Sequence, residues 1–299
     1  MHSFLRAIGF SNIKDRLELE RLVGIIMEQP SDKKVYNTQN NKMFAEITKM
    51  FSKQMGITLR GEYDENGKFY MEHYFPYFKS SYMSTKEETS IIKRVDTDAY
   101  TGMSDDVRLG VSLIFYLQNV VDFFMEEKDG KKLDRAFPIY LSALSISGKI
   151  LLPLDRDEKQ EKNNSADVQY RRQLIAEAKK GNQEAIDSLT IDDIDMYAMI
   201  SRRAKVEDIY SIVESSFTPY GSESDNYTIL GTITDLDSLF NEMTGEEIYH
   251  LSVSCNDLVF QIVINKVDLL GEPQVGRRFK GNVWLQGFVD FNSDKCINS

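Results

Sequence analysis

From Asn12 to Gln29 the apolar residues Ile13, Leu17, Leu22, Val23 and Ile26 recur at mostly helical spacing, and Pro30 closes the run, which predicts an amphipathic helix. Met43, Phe44, Ile47, Met50 and Phe51 fall on one helical stripe ahead of Gly56, a residue suited to a left-handed C-cap, and predict a second helix. The period then becomes two. Residues 57–63 and 69–75 alternate on either side of Asp64 to Lys68, and Asn66-Gly67 in that gap predicts a hairpin. Val107, Leu109, Val111, Leu113 and Phe115 alternate before Leu117, Val120, Val121 and Phe124 take up helical spacing, so a strand is expected to lead into a helix. Residues 139–154 alternate once more, with Ser147-Gly148-Lys149 as a turn and Pro153 as the close.

The segment from Asp155 to Asn164 carries seven charges in ten residues and no apolar anchor, so it is read as an exposed linker. Three short helices are expected after it: residues 166–180, residues 183–189 beyond a Gly181-Asn182 break, and a third opened by a capping box at Thr190 to Asp193 and running to about Arg203. The remainder is strand-like. Residues 209–217, 227–234, 249–255 and 258–264 predict strands, Asn256-Asp257 a two-residue turn, and Gly276 to Phe291 one or two further strands with Gly281 and Gly287 at bulges or bends. No clear repeat stands out, although Ser104-Asp105-Asp106 can be laid beside Ser254-Cys255-Asn256-Asp257 as the trace of a duplication. The pattern predicts an α+β fold of two lobes. Residues 1–154 form an N-terminal α+β domain, 155–164 the linker, 165–292 a small helical insert with an antiparallel β-barrel-like sheet, and 293–299 a tail.

Composition narrows the class. With 36 Lys and Arg against 47 Asp and Glu in 299 residues, the net charge is −11, which opposes gross affinity for nucleic acid or anionic lipid. The 41% hydrophobic content is enough for a proper core. Two cysteines, Cys255 and Cys296, do not make a disulfide framework, so a reducing cytoplasm is expected. The residues from Met1 to Phe10 lack the apolar run of a signal peptide, and Val111 to Met125 is too interrupted by polar residues to span a bilayer.

Three blocks carry a resemblance: His2-Ser3-Phe4-Leu5-Arg6-Ala7-Ile8-Gly9-Phe10-Ser11, the block from Asp106 to Asn119, and the block from Val275 to Gly287 that holds Arg277-Arg278-Phe279-Lys280 and Trp284. Over nearly the whole chain the sequence resembles an uncharacterised family of clostridial proteins. The resemblance implies a bacterial cytoplasmic protein and brings no activity, cofactor or catalytic residue with it.

The candidate chemistry is sparse. Asn265-Lys266-Val267-Asp268 matches the guanine-reading element of G proteins, but Ser147-Gly148-Lys149 has Ala143 and Ile150 where a phosphate loop needs glycine and a hydroxyl. His2, His73 and His250 are isolated, and neither cysteine has a partner at metal-ligand spacing, so no metal and no cofactor is predicted. His250 is assigned to a solvent face with Ser252 and Ser254, and His73 to a partly buried, hydrogen-bonded position. Asp105, Asp106, Asp192 and Asp193 form a possible acidic cluster, which would serve acid–base or magnesium chemistry only if they converge; Glu246 and Glu247 are further acids. Against the global charge stands a basic set, and Arg277, Arg278 and Lys280 beside Trp284 would make an anion or single-strand groove on a barrel of oligonucleotide-binding type. Trp284 as a core aromatic is the plainer alternative. The aromatics between Tyr70 and Tyr82 exceed what one strand face buries, so some should reach the surface.

The leading functional reading is therefore a non-enzymatic module that binds a protein partner or a small ligand. A carboxylate-dependent enzyme, with or without magnesium, and a single-strand or anion binder are the alternatives. No membrane partner is expected, and nucleic acid is disfavoured by charge.

Overall fold

The structure, a computed structural model, describes residues 2–37, 43–94, 99–106, 111–128, 136–154, 169–171, 173–178 and 180–293. A short 3-10 turn, Ser3–Ile8, precedes helix α1, Arg16–Glu28, whose N-cap Asp15 accepts a hydrogen bond from the Glu18 amide. α1 presents Leu22 and Ile26 to the first sheet, an antiparallel meander of β1 (Asp32–Asn37), β2 (Met43–Ser52), β3 (Met55–Tyr63) and β4 (Phe69–Phe78). The Asn66-Gly67 hairpin between β3 and β4 forms as read. Gly67 sits at φ +77°, and Asp64 Oδ1 accepts from the amides of Asn66 and Lys68.

Residues 43–51 are strand β2, not the expected helix. Both faces of this strand are covered: Ile47 packs in the cluster with Leu22 and Ile26 of α1, while Phe44 belongs to the core of the second sheet. Burial on two sides removes the alternation that marks a strand and leaves spacings that pass for a helix. Gly56 lies inside β3 rather than at a helix end.

The second sheet contains two units of like connectivity. In the first, β5 (Thr85–Lys93), β6 (Tyr100–Asp106) and β7 (Val111–Leu117) form an antiparallel meander, helix α2 (Val120–Lys128) follows, and β8 (Ala136–Leu151) returns beside β5. In the second, β10 (Asn226–Phe240), β11 (Glu247–Cys255) and β12 (Leu258–Asn265) form the meander. A 3-10 turn, Lys266–Asp268, and the short β13 (Leu269–Leu270) follow, and β14 (Arg278–Val289) returns beside β10. Each unit therefore has the Greek-key order 4-1-2-3. β8 and β14 pair antiparallel along most of their length, β12 runs parallel to β8, and β7 runs parallel to β14. Two closed rings of five strands share the β8–β14 pair, and β9 (Ser216–Pro219) extends the sheet beside β10.

Ser104 to Asp106 ends β6 and Ser254-Cys255 ends β11, the second strand of each unit, whereas Asn256-Asp257 lies in the turn beyond β11. The α+β class holds. Strands on both sides of the expected linker join in one sheet, and the linker residues 155–164 lie outside the described residues.

Other expectations change. Ser147-Gly148-Lys149 is continuous strand within β8, paired with both β14 and β13. Residues 183–203 form one helix, α3 (Gln183–Arg203), capped by Asn182; Thr190 is interior and its hydroxyl donates to the Ile186 carbonyl, so the apparent capping box is a mid-helix back-bond. Residues 209–217 are not one strand. Asp208 caps a single helical turn, α4 (Ile209–Ile212), and β9 follows. The span from Gly276 to Phe291 is a single strand, with its bulge against β8 at Asn282 and Val283 rather than at Gly281 or Gly287. Asn256-Asp257 makes the two-residue turn, both residues at positive φ, between β11 and β12.

One side chain lies against both partners of the β7 position in the first ring. The fully buried ring of Phe115 rests on Gly102 of β6 and Gly287 of β14, where an added Cβ would fall 2.2 Å and 2.4 Å from ring carbons. Gly102→Ala is expected to lower unfolding free energy in urea by about 1–3 kcal/mol through overpacking. A neutral result would show that the ring is free to shift.

Candidate functional site

β2 and β3 pair with Glu46 directly opposite Arg60, on the face of the first sheet turned toward the second. Arg60 is 0% exposed. Its Nε donates to Glu46 Oε1 at 2.8 Å, Nη1 to the Tyr116 hydroxyl at 2.9 Å, and Nη2 to the carbonyls of Leu117 and Gln118 at 2.9 and 2.8 Å. The guanidinium lies over the rings of Phe75 and Tyr116. Glu46 in turn accepts from the amide of Val120 at 3.2 Å and more loosely from that of Val121, so its charge sits against the N-terminus of α2.

The network continues across the sheet junction. Gln118 Nε2 donates to the Phe78 carbonyl and to Gln286 Oε1, both at 2.9 Å; Gln286 donates to the Pro76 carbonyl; and the Ser142 hydroxyl donates to the Phe78 carbonyl. Asn119 donates to the Val289 carbonyl and accepts from the Val289 amide. His73 Nε2 lies 3.0 Å from the Tyr116 hydroxyl, the partly buried, bonded imidazole expected, and burial raises the Tyr116 phenol well above its ordinary range. Buried polar groups bonded to one another in this way hold the two sheets in register.

The expected basic groove does not assemble. Arg278 is buried and donates to the carbonyls of Leu152, Val213 and Tyr210, which fastens α4 to the end of β14. Arg277 donates to the Glu272 carbonyl. Trp284 is 6% exposed; its Nε1 donates to Asp225 Oδ2 at 3.0 Å, and its ring packs against His2, Phe4 and Tyr116. The plainer alternative for Trp284 describes it. Lys280 is directly opposite Lys149 across the β14–β8 pair, with both ammonium groups over the Tyr210 ring and Lys280 bonded to its hydroxyl. Hydrogen bonding to Lys280 lowers the Tyr210 phenol.

The acids are likewise dispersed into separate contacts. Asp105 accepts from the Ser112 hydroxyl, Asp106 is buried at the end of β6, Asp193 pairs with Arg171 at 2.7 Å, and Asp192 is exposed on α3. Among the described residues no three His, Cys, Asp or Glu side chains gather as a metal-binding group. Asn265 to Asp268 tethers the N-terminal segment: Asn265 caps its own 3-10 turn and donates to the Arg6 carbonyl and to Glu246, while Asp268 pairs with Arg6. His250 is not on a solvent face. It is half-buried against the Phe78 ring because the first sheet covers that side of β11. Cys255 is buried, which pushes its thiol up to about 12, and Cys296 lies outside the described residues.

Outward apolar surface is concentrated on α3, a feature that the division of residues 183–203 into two short helices concealed. Of its 21 residues only Ala185 is buried, while Ile191, Ile194 and Tyr197 are 60%, 62% and 68% exposed. Of the aromatic stretch read from Tyr70 to Tyr82, Phe75, Tyr77 and Phe78 are buried and Tyr70 and Tyr82 reach the surface.

Arg60→Met strands Glu46 as a buried unpaired charge and is expected to cost about 3–5 kcal/mol of stability, with Glu46→Met added on the same chain restoring a large part of it. Equal losses in the single and double variants, by urea denaturation, would contradict a pairwise role. Burial lowers His2 to about 4 and lowers His250 as well. The unfolded chain therefore binds protons at these sites first, so stability present above pH ~6.5 declines as pH falls toward 4. The His2→Gln, His250→Gln double variant should flatten that slope in thermal melts, and an unchanged slope would remove both histidines as its source.

Among the described residues no helix is long and apolar enough to cross a membrane. No curated protein and no solved structure matches the chain. A family model described as "Domain of unknown function, E. rectale Gene description (DUF3881)" matches residues 5–287, from within the 3-10 turn into β14, so it spans the first sheet, α3 and nearly all of both Greek-key units. The chain belongs to this family, which accords with the clostridial resemblance of its three sequence blocks.

Proposed function

We propose that the protein is an interaction module whose contact element is α3. The observation that carries this reading is the 21-residue helix that buries one side chain while holding Ile191, Ile194 and Tyr197 in solvent. Exposed apolar residues concentrated on one element mark contact surfaces, whereas isolated ones need no explanation. The buried polar groups of the sheet junction are consumed by holding the fold, and the candidate acids stand in separate local contacts, so no catalytic role is assigned to either. Tagged wild-type chain should retain from its own cytosol a protein, another copy included, that Ile194→Glu fails to retain. Identical retention by both would overturn the assignment of the contact to α3.

One observation favours a second reading, anion binding. Lys149 and Lys280 are like charges directly opposite each other, an unfavourable arrangement that an anion beside Tyr210 would relieve. Inorganic phosphate should then raise the melting temperature of the wild type and leave that of Lys280→Ala unmoved. An equal rise in both would dismiss it.

A further inference from the structure

Accepting α3 as the contact element, we propose that its partner is the α3 of a second copy, packed antiparallel across a two-fold axis near Ile194. At 3.6 residues per turn, Asp187, Ile191, Ile194, Ala198 and Ser201 recur at alternating steps of four and three along one stripe of the helix. All five are exposed, with the two isoleucines at the centre and the small Ala198 and Ser201 allowing close approach.

Charge sets the direction. The N-terminal part of the helix carries Glu184 and Asp187, and its C-terminal end carries Arg202 and, just beyond, Lys205. All four are exposed, and among the described residues none of them forms an ion pair within the chain; Asp187 accepts only from Gln183. A parallel pairing would set acid beside acid and base beside base. An antiparallel pairing centred near Ile194 sets Asp187 opposite Arg202, Glu184 opposite Lys205, and Ile191 opposite Ala198, twice over by symmetry. These four opposite-charge contacts must outweigh the approach of the two exposed Asp195 side chains beside the axis. One patch complementary to itself is the requirement of a closed two-fold dimer. The neighbouring pairs, Arg203 with Glu207 and Asp193 with Arg171, are satisfied within the chain and do not compete for these partners.

Sedimentation velocity on the full chain at micromolar concentration tests this. The wild type is expected to sediment as a dimer. Ile194→Glu, which adds two further negative charges beside the axis, is expected to sediment as a monomer that still unfolds in one cooperative thermal transition, at a midpoint lowered only by the lost association. Arg202→Glu should raise the dimer dissociation constant at least about tenfold, a loss of about 1.4 kcal/mol. Adding Asp187→Arg to that chain recreates the complementarity with signs reversed and should recover the dimer. A monomeric wild type, a dimer indifferent to Ile194→Glu, or a charge reversal that fails to rescue would each overturn self-pairing. If the wild type is monomeric yet Ile194→Glu still loses a different protein from cytosol, self-pairing falls while α3 as contact element stands. If neither dimer nor lost protein is found, both fall.

Discussion

The fold turns on a guanidinium taken out of water. Arg60 reaches from the first sheet into the second and spends its hydrogen bonds on one carboxylate, one phenol and two main-chain carbonyls, all contributed by elements that must already be in place. A buried ion pair is weak evidence for added stability, since a well-packed apolar substitute is often as good. What it imposes is geometry. Glu46 must face Arg60 across β2 and β3, α2 must begin where its amides meet Glu46, and the carbonyls of Leu117 and Gln118 at the end of β7 must point at the guanidinium. Gln118, Asn119, Ser142 and Gln286 extend the same demand to β8 and β14, the pair shared by the two strand rings.

That shared pair joins strands from both halves of the chain in one sheet. Each Greek-key unit closes its ring by borrowing the fourth strand of the other, through the parallel contacts of β12 with β8 and of β7 with β14. Neither unit completes a ring alone. The first sheet then lies over the junction, sealed by the Arg60 network and by the aromatic packing of Trp284, Tyr116 and Phe75. Polar residues that looked available for binding are absorbed by the same economy: Arg278 holds α4, Trp284 holds Asp225, and Asn265 holds the N-terminal turn.

Features set by local chemistry were legible in the sequence. Asn66-Gly67 and Asn256-Asp257 supply left-handed turn residues at hairpin spacing, and both turns form where they were expected. α1 was legible because one of its faces remains wet. β2 was not, because α1 covers one face and the second sheet's core the other, and without β2 as a strand Glu46 has no register that brings it to Arg60. A lone arginine in an alternating strand reads as surface; only the pairing shows otherwise. The basic groove fails for a related reason, since backbone carbonyls, invisible as acceptors in a string of residues, take up Arg277 locally at Glu272 and Arg278 at the distant Leu152 and Val213. α3 is half legible: its spacing is helical, but Thr190 imitates a start signal in mid-helix and so masks the continuous stripe through Ile191 and Ile194.

The central claim is that one dry polar network makes the two sheets a single cooperative body while α3 stays outside it. Native-state hydrogen exchange tests this most directly. Amides of β3 in the first sheet and of β7 and β14 in the second should open together, with the free energy of global unfolding, while those of α3 exchange through smaller openings. Exchange of the β3 amides at a markedly lower free energy than those of β14 would mean that the sheets open independently, and that Arg60 does not join them.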